Sequence, residues 1–230
     1  ICILVRNQNQ DSSSYDLIND KSRPGHADDL WRNKFHHVDH RGGGRSSGRE
    51  TVARVIAGSL AKMLLKKACP DLKISSSISQ IGPVTTDVQI RELLLKAQQD
   101  GESYGGVVNL LLQRVPMGLG QPVFHKLKAD LAAACMSVGA ATGIEIGAGF
   151  SSIKEKGSDF HRGHSSVYGG IRGGISTGED ISIKIAVKPT SSILDIAKKG
   201  RHDPCIALRA LPVFEAMAAL VLADHWLWHK

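Results

Sequence analysis

Arg41-Gly42-Gly43-Gly44-Arg45-Ser46-Ser47-Gly48-Arg49-Glu50 runs directly into a helical pattern that puts Val52, Val55, Ile56, Leu60, Met63 and Leu64 on one face. Three glycines in a row let the backbone turn sharply and approach a ligand closely. Arg41, Arg45 and Arg49 supply planar donor forks that match phosphate or carboxylate. Ser47 and Glu50 have capping-box spacing, which starts the helix there. A glycine loop feeding a helix N-terminus gathers free N–H groups and the positive end of the helix dipole at one point, a place for an anion. No Gly-Lys-Ser/Thr closes the stretch, so it is not a P-loop.

Working outward, 230 residues suffice for one large domain or two small ones with a sizeable core. The formal net charge of +7 is carried largely in Gly- and Ser-rich loops, which suits anionic small ligands at least as well as nucleic acid. Aromatic residues are only 5%, too few for stacking platforms along a single strand. Cys2, Cys69, Cys135 and Cys205 are scattered and never form Cys-x-x-Cys, which fits free thiols in a reducing compartment. The apolar run Ile206 to Trp228 is interrupted by Arg209, Glu215 and Asp224 and does not read as a membrane span. Ile1 to Val5 reads as a strand entered midway, with sequence expected before it.

Along the chain, Pro24-Gly25 predicts a tight turn presenting His26 near Asp28. His36, His37 and His40 match no common ligand spacing, and no metal is assigned. The pattern predicts strands over 72–82, 107–115, 143–150 and 181–187, and helices over 86–99, from Pro122 to about Ser137, and from Pro212 toward His225. Residues 151–166 read as a polar, mobile loop, and Gly169 to Ile175 as a second glycine loop. Tyr104-Gly-Gly-Val107 resembles Tyr168-Gly-Gly-Ile171, and each is followed by a strand and then Pro-Val-Phe, at 122–124 and 212–214. Two such units predict an α+β fold with approximate internal two-fold symmetry.

Five segments taken together resemble the chorismate synthase family: Arg23-Pro-Gly-His-Ala-Asp28, Arg41-Gly-Gly-Gly-Arg-Ser-Ser47 with Arg49-Glu-Thr51, Gly118-Leu-Gly-Gln-Pro-Val-Phe124, Lys188-Pro-Thr-Ser-Ser-Ile193 and Gly200-Arg-His-Asp-Pro-Cys205. Glu215 to Asp224 fits as well. The resemblance spans nearly the whole chain as a single domain, residues 1–230, and implies a β-α-β sandwich assembled as a homotetramer. It implies a lyase that converts 5-enolpyruvylshikimate 3-phosphate to chorismate and phosphate by anti-1,4 elimination, with reduced FMN required and NADPH as a possible reductant. The compartment would be bacterial cytoplasm or plastid stroma. The family's N-terminal part is absent, with its Gly-Glu-Ser-His-Gly motif and second catalytic histidine. The segments between Gly82 and Gly101 and between Ser192 and Gly200 are shorter than usual.

Carried over residue by residue, the resemblance puts FMN against Arg45, Ser46, Ser47, Gly139, Ala140, Gly173, Lys188, Pro189, Thr190, Ser191, Ser192 and Arg201. Arg49 would meet substrate anions. His26 would hydrogen-bond or protonate the reduced flavin, work suited to a group titrating near neutrality. Asp203 would be the acid/base that helps remove the ring proton. Without the resemblance, His26 and Asp203 could simply be turn residues. An alternative reading is a basic RNA-binding module using the Arg-Gly-Gly stretch; the sparse aromatics and the helix that follows at once speak against it.

Overall fold

A computed structural model describes residues 2–6, 8, 25–38, 46–162, 164–191, 193–194 and 202–229. Its centre is a four-stranded antiparallel sheet in the order β1-β2-β6-β3. The strands are β1 (Lys73–Ile81), β2 (Gly106–Gln113), β3 (Ala141–Ile146) and β6 (Ile181–Val187). Between the last two, β4 (Ile171–Arg172) and β5 (Ile175–Ser176) form a separate two-stranded hairpin.

Alternation along the strands decides which face is covered. Ile181, Ile183, Ile185 and Val187 are buried while Ser182, Lys184 and Ala186 are exposed. Pairing carries this period across the sheet, since residues opposite each other share a face: Leu110 stands against Ile183, and Asn109 against Lys184. The apolar face is covered by α4 (Leu127–Met136) and α6 (Ala207–His229), α2 (Thr51–Ala68) packs against α6, and Phe214, Ala218, Ala219, Leu222, Leu127, Leu131 and Leu65 complete the core. Each fully buried Leu, Ile or Phe contributes about 1.5–3 kcal/mol of transfer free energy. Gly58 of α2 is where that helix comes closest to α6: a Cβ there would fall against Cβ and Cα of Ala216. Glu215 ties three elements together, accepting the Ser76 N–H at 3.1 Å, the Ser76 hydroxyl at 2.8 Å and the Lys62 ammonium at 2.7 Å.

The remaining helices are α1 (Asp28–Phe35), α3 (Asp87–Asp100) and α5 (Gly157–Arg162). The fold is α+β, and an approximate repeat is visible in the topology, in a different register from the sequence reading: residues 104–107 lead into inner strand β2, whereas 168–171 lead into the hairpin. Helix α2 leads to edge strand β1, an excursion through α3 and inner strand β2; helix α4 leads to edge strand β3, an excursion through α5 and the hairpin, and inner strand β6. The two inner strands pair at the centre.

Several boundaries differ from the sequence reading. Pro212 lies inside α6 rather than opening it, because Arg209 and Ala210 already donate to the Ile206 carbonyl. Pro122 does not open α4: Lys126 donates from Nζ to the Pro122 carbonyl, and the helix begins at Leu127. The described part of 151–166, read as a loop, forms short helical turns over 149–154, 157–162 and 165–168, with Ser151 and Ser152 bonding back to Ala148 and Gly149. Cys2 to Arg6 take no regular structure, since a strand exists only through its pairing partner. No helix among the described residues is long and apolar enough to cross a membrane.

Candidate active site

One end of the sheet collects most of the residues singled out from the sequence. Val187, the last residue of β6, pairs with Gly106 at the start of β2 and Ala141 at the start of β3. Whatever follows β6 therefore emerges beside what precedes β2 and β3. Lys188 through Ser191 is that following segment. The Lys188 N–H donates to the Ala140 carbonyl at 2.9 Å, which places Gly139 and Ala140 beside it. Ala140 has φ +73°, a conformation that costs a residue with a Cβ and is found most often where function requires it.

The segment starting at Gly25 joins from elsewhere in the chain, with Pro24 outside the described residues. Lys188 Nζ donates to the Gly25 carbonyl at 2.9 Å, and a Cβ on Gly25 would lie 3.7 Å from the Ser191 hydroxyl. His26 follows Gly25 and is half-buried at the entry to α1. On the other side, Thr190 donates its hydroxyl to the Asp203 carbonyl at 2.9 Å. The segment before β2 laces these strands of loop together. Ser103 donates to the Thr190 carbonyl at 3.0 Å, the Tyr104 N–H donates to the Pro204 carbonyl at 2.8 Å, and His202 Nε2 lies 2.9 Å from the Glu102 carbonyl. Gly105 must be a glycine here, because a Cβ would sit 2.5 Å from the Val187 carbonyl oxygen and 3.2 Å from the Pro189 ring.

The helix N-terminus predicted from the arginine-glycine stretch reaches the same place. Ser47 is the N-cap, with extended backbone and its hydroxyl accepting the Arg49 N–H at 3.3 Å; a single 3-10 turn over Gly48–Glu50 then leads into α2. Ser46 precedes it, half-buried. Ser47, Arg49, Gly139, Asp203 and Arg209 line one cavity of about 380 Å³. The Asp203 carboxylate accepts the Cys205 N–H at 3.3 Å and forms an ion pair with Arg209, whose Nε stands 2.6 Å from Oδ2. Burial, then the Asp203 charge, push the neighbouring Cys205 thiol up, against two backbone hydrogen bonds that pull it down.

Gly173 does not join this group within one chain. It forms the turn between β4 and β5, and the adjacent Gly174 carbonyl accepts the Leu127 N–H at the start of α4. That is the other end of β6, whose seven residues span about 23 Å at about 3.3 Å each. Arg45, Ser192 and Arg201 lie outside the described residues, as does His40. Among the described residues, no three His, Cys, Asp or Glu side chains are placed to hold a metal ion.

Three structural participants were not assigned from the sequence. Arg209 closes on Asp203, and Ser103 braces Thr190. Arg54 clamps the approach to Gly139 by donating to the Ser137 hydroxyl at 2.6 Å and the Ser137 carbonyl at 2.9 Å. Arg54 is 83 positions from its partner and Ser103 is 87 from its own, so no local pattern announced them.

The site can hold an extended anion. The cavity is within the range for small-molecule sites. It opens at a capped helix N-terminus, and among the described residues a Cβ on Gly48 or Gly139 would meet nothing within 4 Å, so backbone there is open to a ligand. These features fit a phosphate-bearing cofactor such as FMN.

The comparisons agree with this geometry. A family model described as chorismate synthase matches residues 1–227. The chorismate synthase of Bdellovibrio bacteriovorus is 55% identical over 254 aligned residues, covering 100% of this chain and 74% of that protein. That of Afipia carboxidovorans is 42% identical over 275, covering 100% and 76%. Both alignments are longer than the chain, so these relatives carry internal residues that it lacks. A crystal structure of chorismate synthase superposes with a TM-score of 0.75 at 28% identity, covering 88% of this chain and 70% of that one. Family match, sequence identity and superposed fold coincide, and the chain belongs to the chorismate synthase family of lyases.

Proposed function

We propose that this chain, as a single domain, converts 5-enolpyruvylshikimate 3-phosphate to chorismate and inorganic phosphate by anti-1,4 elimination, with reduced FMN bound at the cavity. The observation that carries the proposal is the convergence of the His26 turn, the Lys188–Ser191 segment, the Ser47 cap and Asp203 on one end of the sheet in a chain matched along residues 1–227. The substrate carries two carboxylates and a phosphate, so the site must balance several negative charges. The reduced flavin, when bound, would supply the electron-rich partner that weakens the allylic carbon–oxygen bond.

The chain's own residues orient and neutralise. Ser46, Ser47 and the N–H groups at the start of α2 bind phosphate, and Lys188, Pro189, Thr190 and Ser191 line the flavin with Gly139 and Ala140. Arg45, Ser192 and Arg201 belong to the same set by motif. Arg49 meets the substrate's anionic groups, and fixed donors there stabilise the departing phosphate as its charge grows. Asp203 takes part at its carboxylate as the ring proton leaves, and His26 holds or moves a proton beside the flavin. With Gly173 at the far end of β6, its contact with flavin would come from a second copy, in keeping with the homotetramer expected of the family. We place the protein in the cytoplasm, with NADPH as an outside source of reducing equivalents. The RNA-binding alternative rests on the Arg-Gly-Gly stretch and the positive charge alone, and the family match along residues 1–227 favours the enzyme.

Phosphate release from 5-enolpyruvylshikimate 3-phosphate should require reduced FMN. Turnover that persists with the flavin stripped counts against the mechanism.

A further inference from the structure

Asp203 is held from two sides, and one holder has no other evident reason to be where it is. Oδ1 accepts the Cys205 N–H at 3.3 Å, and Oδ2 is ion-paired with Arg209, whose Nε stands 2.6 Å away. Arg209 sits in the first turn of α6, where the helix dipole disfavours a cation, so the helix gains nothing from it. The side chain is 75% exposed, so it does not fill the core either. It lines the cavity shared by Ser47, Arg49 and Gly139.

We infer that Arg209 is a positioning residue for the reaction: its guanidinium fixes the Asp203 carboxylate in one orientation at the edge of the cavity. This rests on the reading of Asp203 as the acid/base. The nearest approach is through Nε of a planar guanidinium, whose charge a lysine ammonium carries without reproducing its shape. Oδ1 is held to backbone two residues on by a 3.3 Å bond, and the ion pair at Oδ2 adds a second restraint on rotation about the Asp203 side chain.

The test uses the purified chain with reduced FMN and four proteins beside the parent: Arg209→Ala, Arg209→Lys, Asp203→Asn and the Arg209→Ala/Asp203→Asn pair. Alanine is a strong helix former and the arginine is exposed, so folding should be retained. Arg209→Ala should lower kcat about tenfold or more with substrate KM nearly unchanged, a loss on the scale of misplaced acid–base catalysis. Arg209→Lys should recover only part of it. In the Asp203→Asn background, Arg209→Ala should cost less than about threefold more, because residues acting as a unit are non-additive. Crystals of Arg209→Ala should show Asp203 in more than one rotamer.

Parental kcat in Arg209→Ala, a raised KM with unchanged kcat, fully additive losses or a single unmoved Asp203 rotamer would each overturn the inference. If Asp203→Asn itself turns over at the parental rate, the acid/base reading fails and the inference with it. A slowed Asp203→Asn beside an unaffected Arg209→Ala removes the inference alone.

Discussion

Lys188 Nζ donates to the Gly25 carbonyl at 2.9 Å, joining residues 163 positions apart. The bond makes the Pro-Gly-His turn and the Lys-Pro-Thr-Ser segment a single unit, because the ammonium that lines the proposed flavin site also holds the backbone that presents His26. Replacing Lys188 by Met should release the turn as well as remove a charge. A hydrogen bond to a charged group is worth about 1.5–3 kcal/mol, and the exposure of Lys188 favours the low end, so flavin affinity should fall about tenfold. Flavin fluorescence titration measures this, and an unchanged dissociation constant would remove Lys188 from the site.

Asp203→Asn keeps the shape of the side chain and leaves the backbone carbonyl that accepts from Thr190 in place. Flavin should bind nearly as well as to the parent. Phosphate release should slow by about a hundredfold or more, the usual contribution of a positioned acid or base. Equal rates in a single-turnover assay would exclude the carboxylate from the chemistry.

The separation of Gly173 from Asp203 along β6 predicts complementation. Gly173→Val should cripple one half of a composite site and Asp203→Asn the other. Dissociated and mixed, the two inactive proteins should regain about a quarter of parental activity if each site draws on two copies. No recovery from a demonstrably mixed oligomer would mean that Gly173 serves no neighbouring site.

Gly58 tests the helical layer without touching the cavity. A larger side chain there meets the backbone of Ala216, so α2 and α6 must move apart. Gly58→Val should cost about 1–3 kcal/mol, read as a lower urea midpoint with little change in slope. Activity per folded molecule should stay near parental.

The Cys135 thiol is buried in α4 against the sheet, and burial pushes it from an ordinary 9.0 up to about 12. In the unfolded chain the same thiol ionises near its ordinary value. Between about pH 9 and 12 the unfolded state therefore holds fewer protons, and the stabilising contribution present below pH 9 is lost as pH rises through that window. Cys135→Ser or Cys135→Ala should flatten the alkaline fall in thermal midpoint. In alkylation under native conditions, exposed Cys2 should react well before Cys69, Cys135 and Cys205.

How much was legible in advance follows the range of the forces involved. Alternating Ile and Val at 181–187 specify both the strand and its buried face, because side-chain direction in a strand has period two. Ser47 and the helical spacing of residues 52–64 announce α2, because capping and period are local chemistry, but the face it buries was not legible: Val52, Leu60, Met63 and Leu64 are exposed, and Gly58, Ala61 and Leu65 turn inward. Pro122 and Pro212 misled, because proline at a first helical position is only a tendency, and neighbouring hydrogen bonds decided where those helices begin. Residue types at the site were likewise readable as motifs for binding anions.

The sequence by itself determined the family, the strand faces and the chemical character of the site residues, each a matter of order and local spacing. Only the tertiary structure decided that Gly25 meets Lys188, that Arg209 meets Asp203, and that Gly173 lies at the far end of the same strand. Pairing of β6 sets where Lys188 emerges and how far Gly173 lies from it, while the local turn into α6 sets Arg209 beside Asp203, and residue spacing alone specifies none of these contacts.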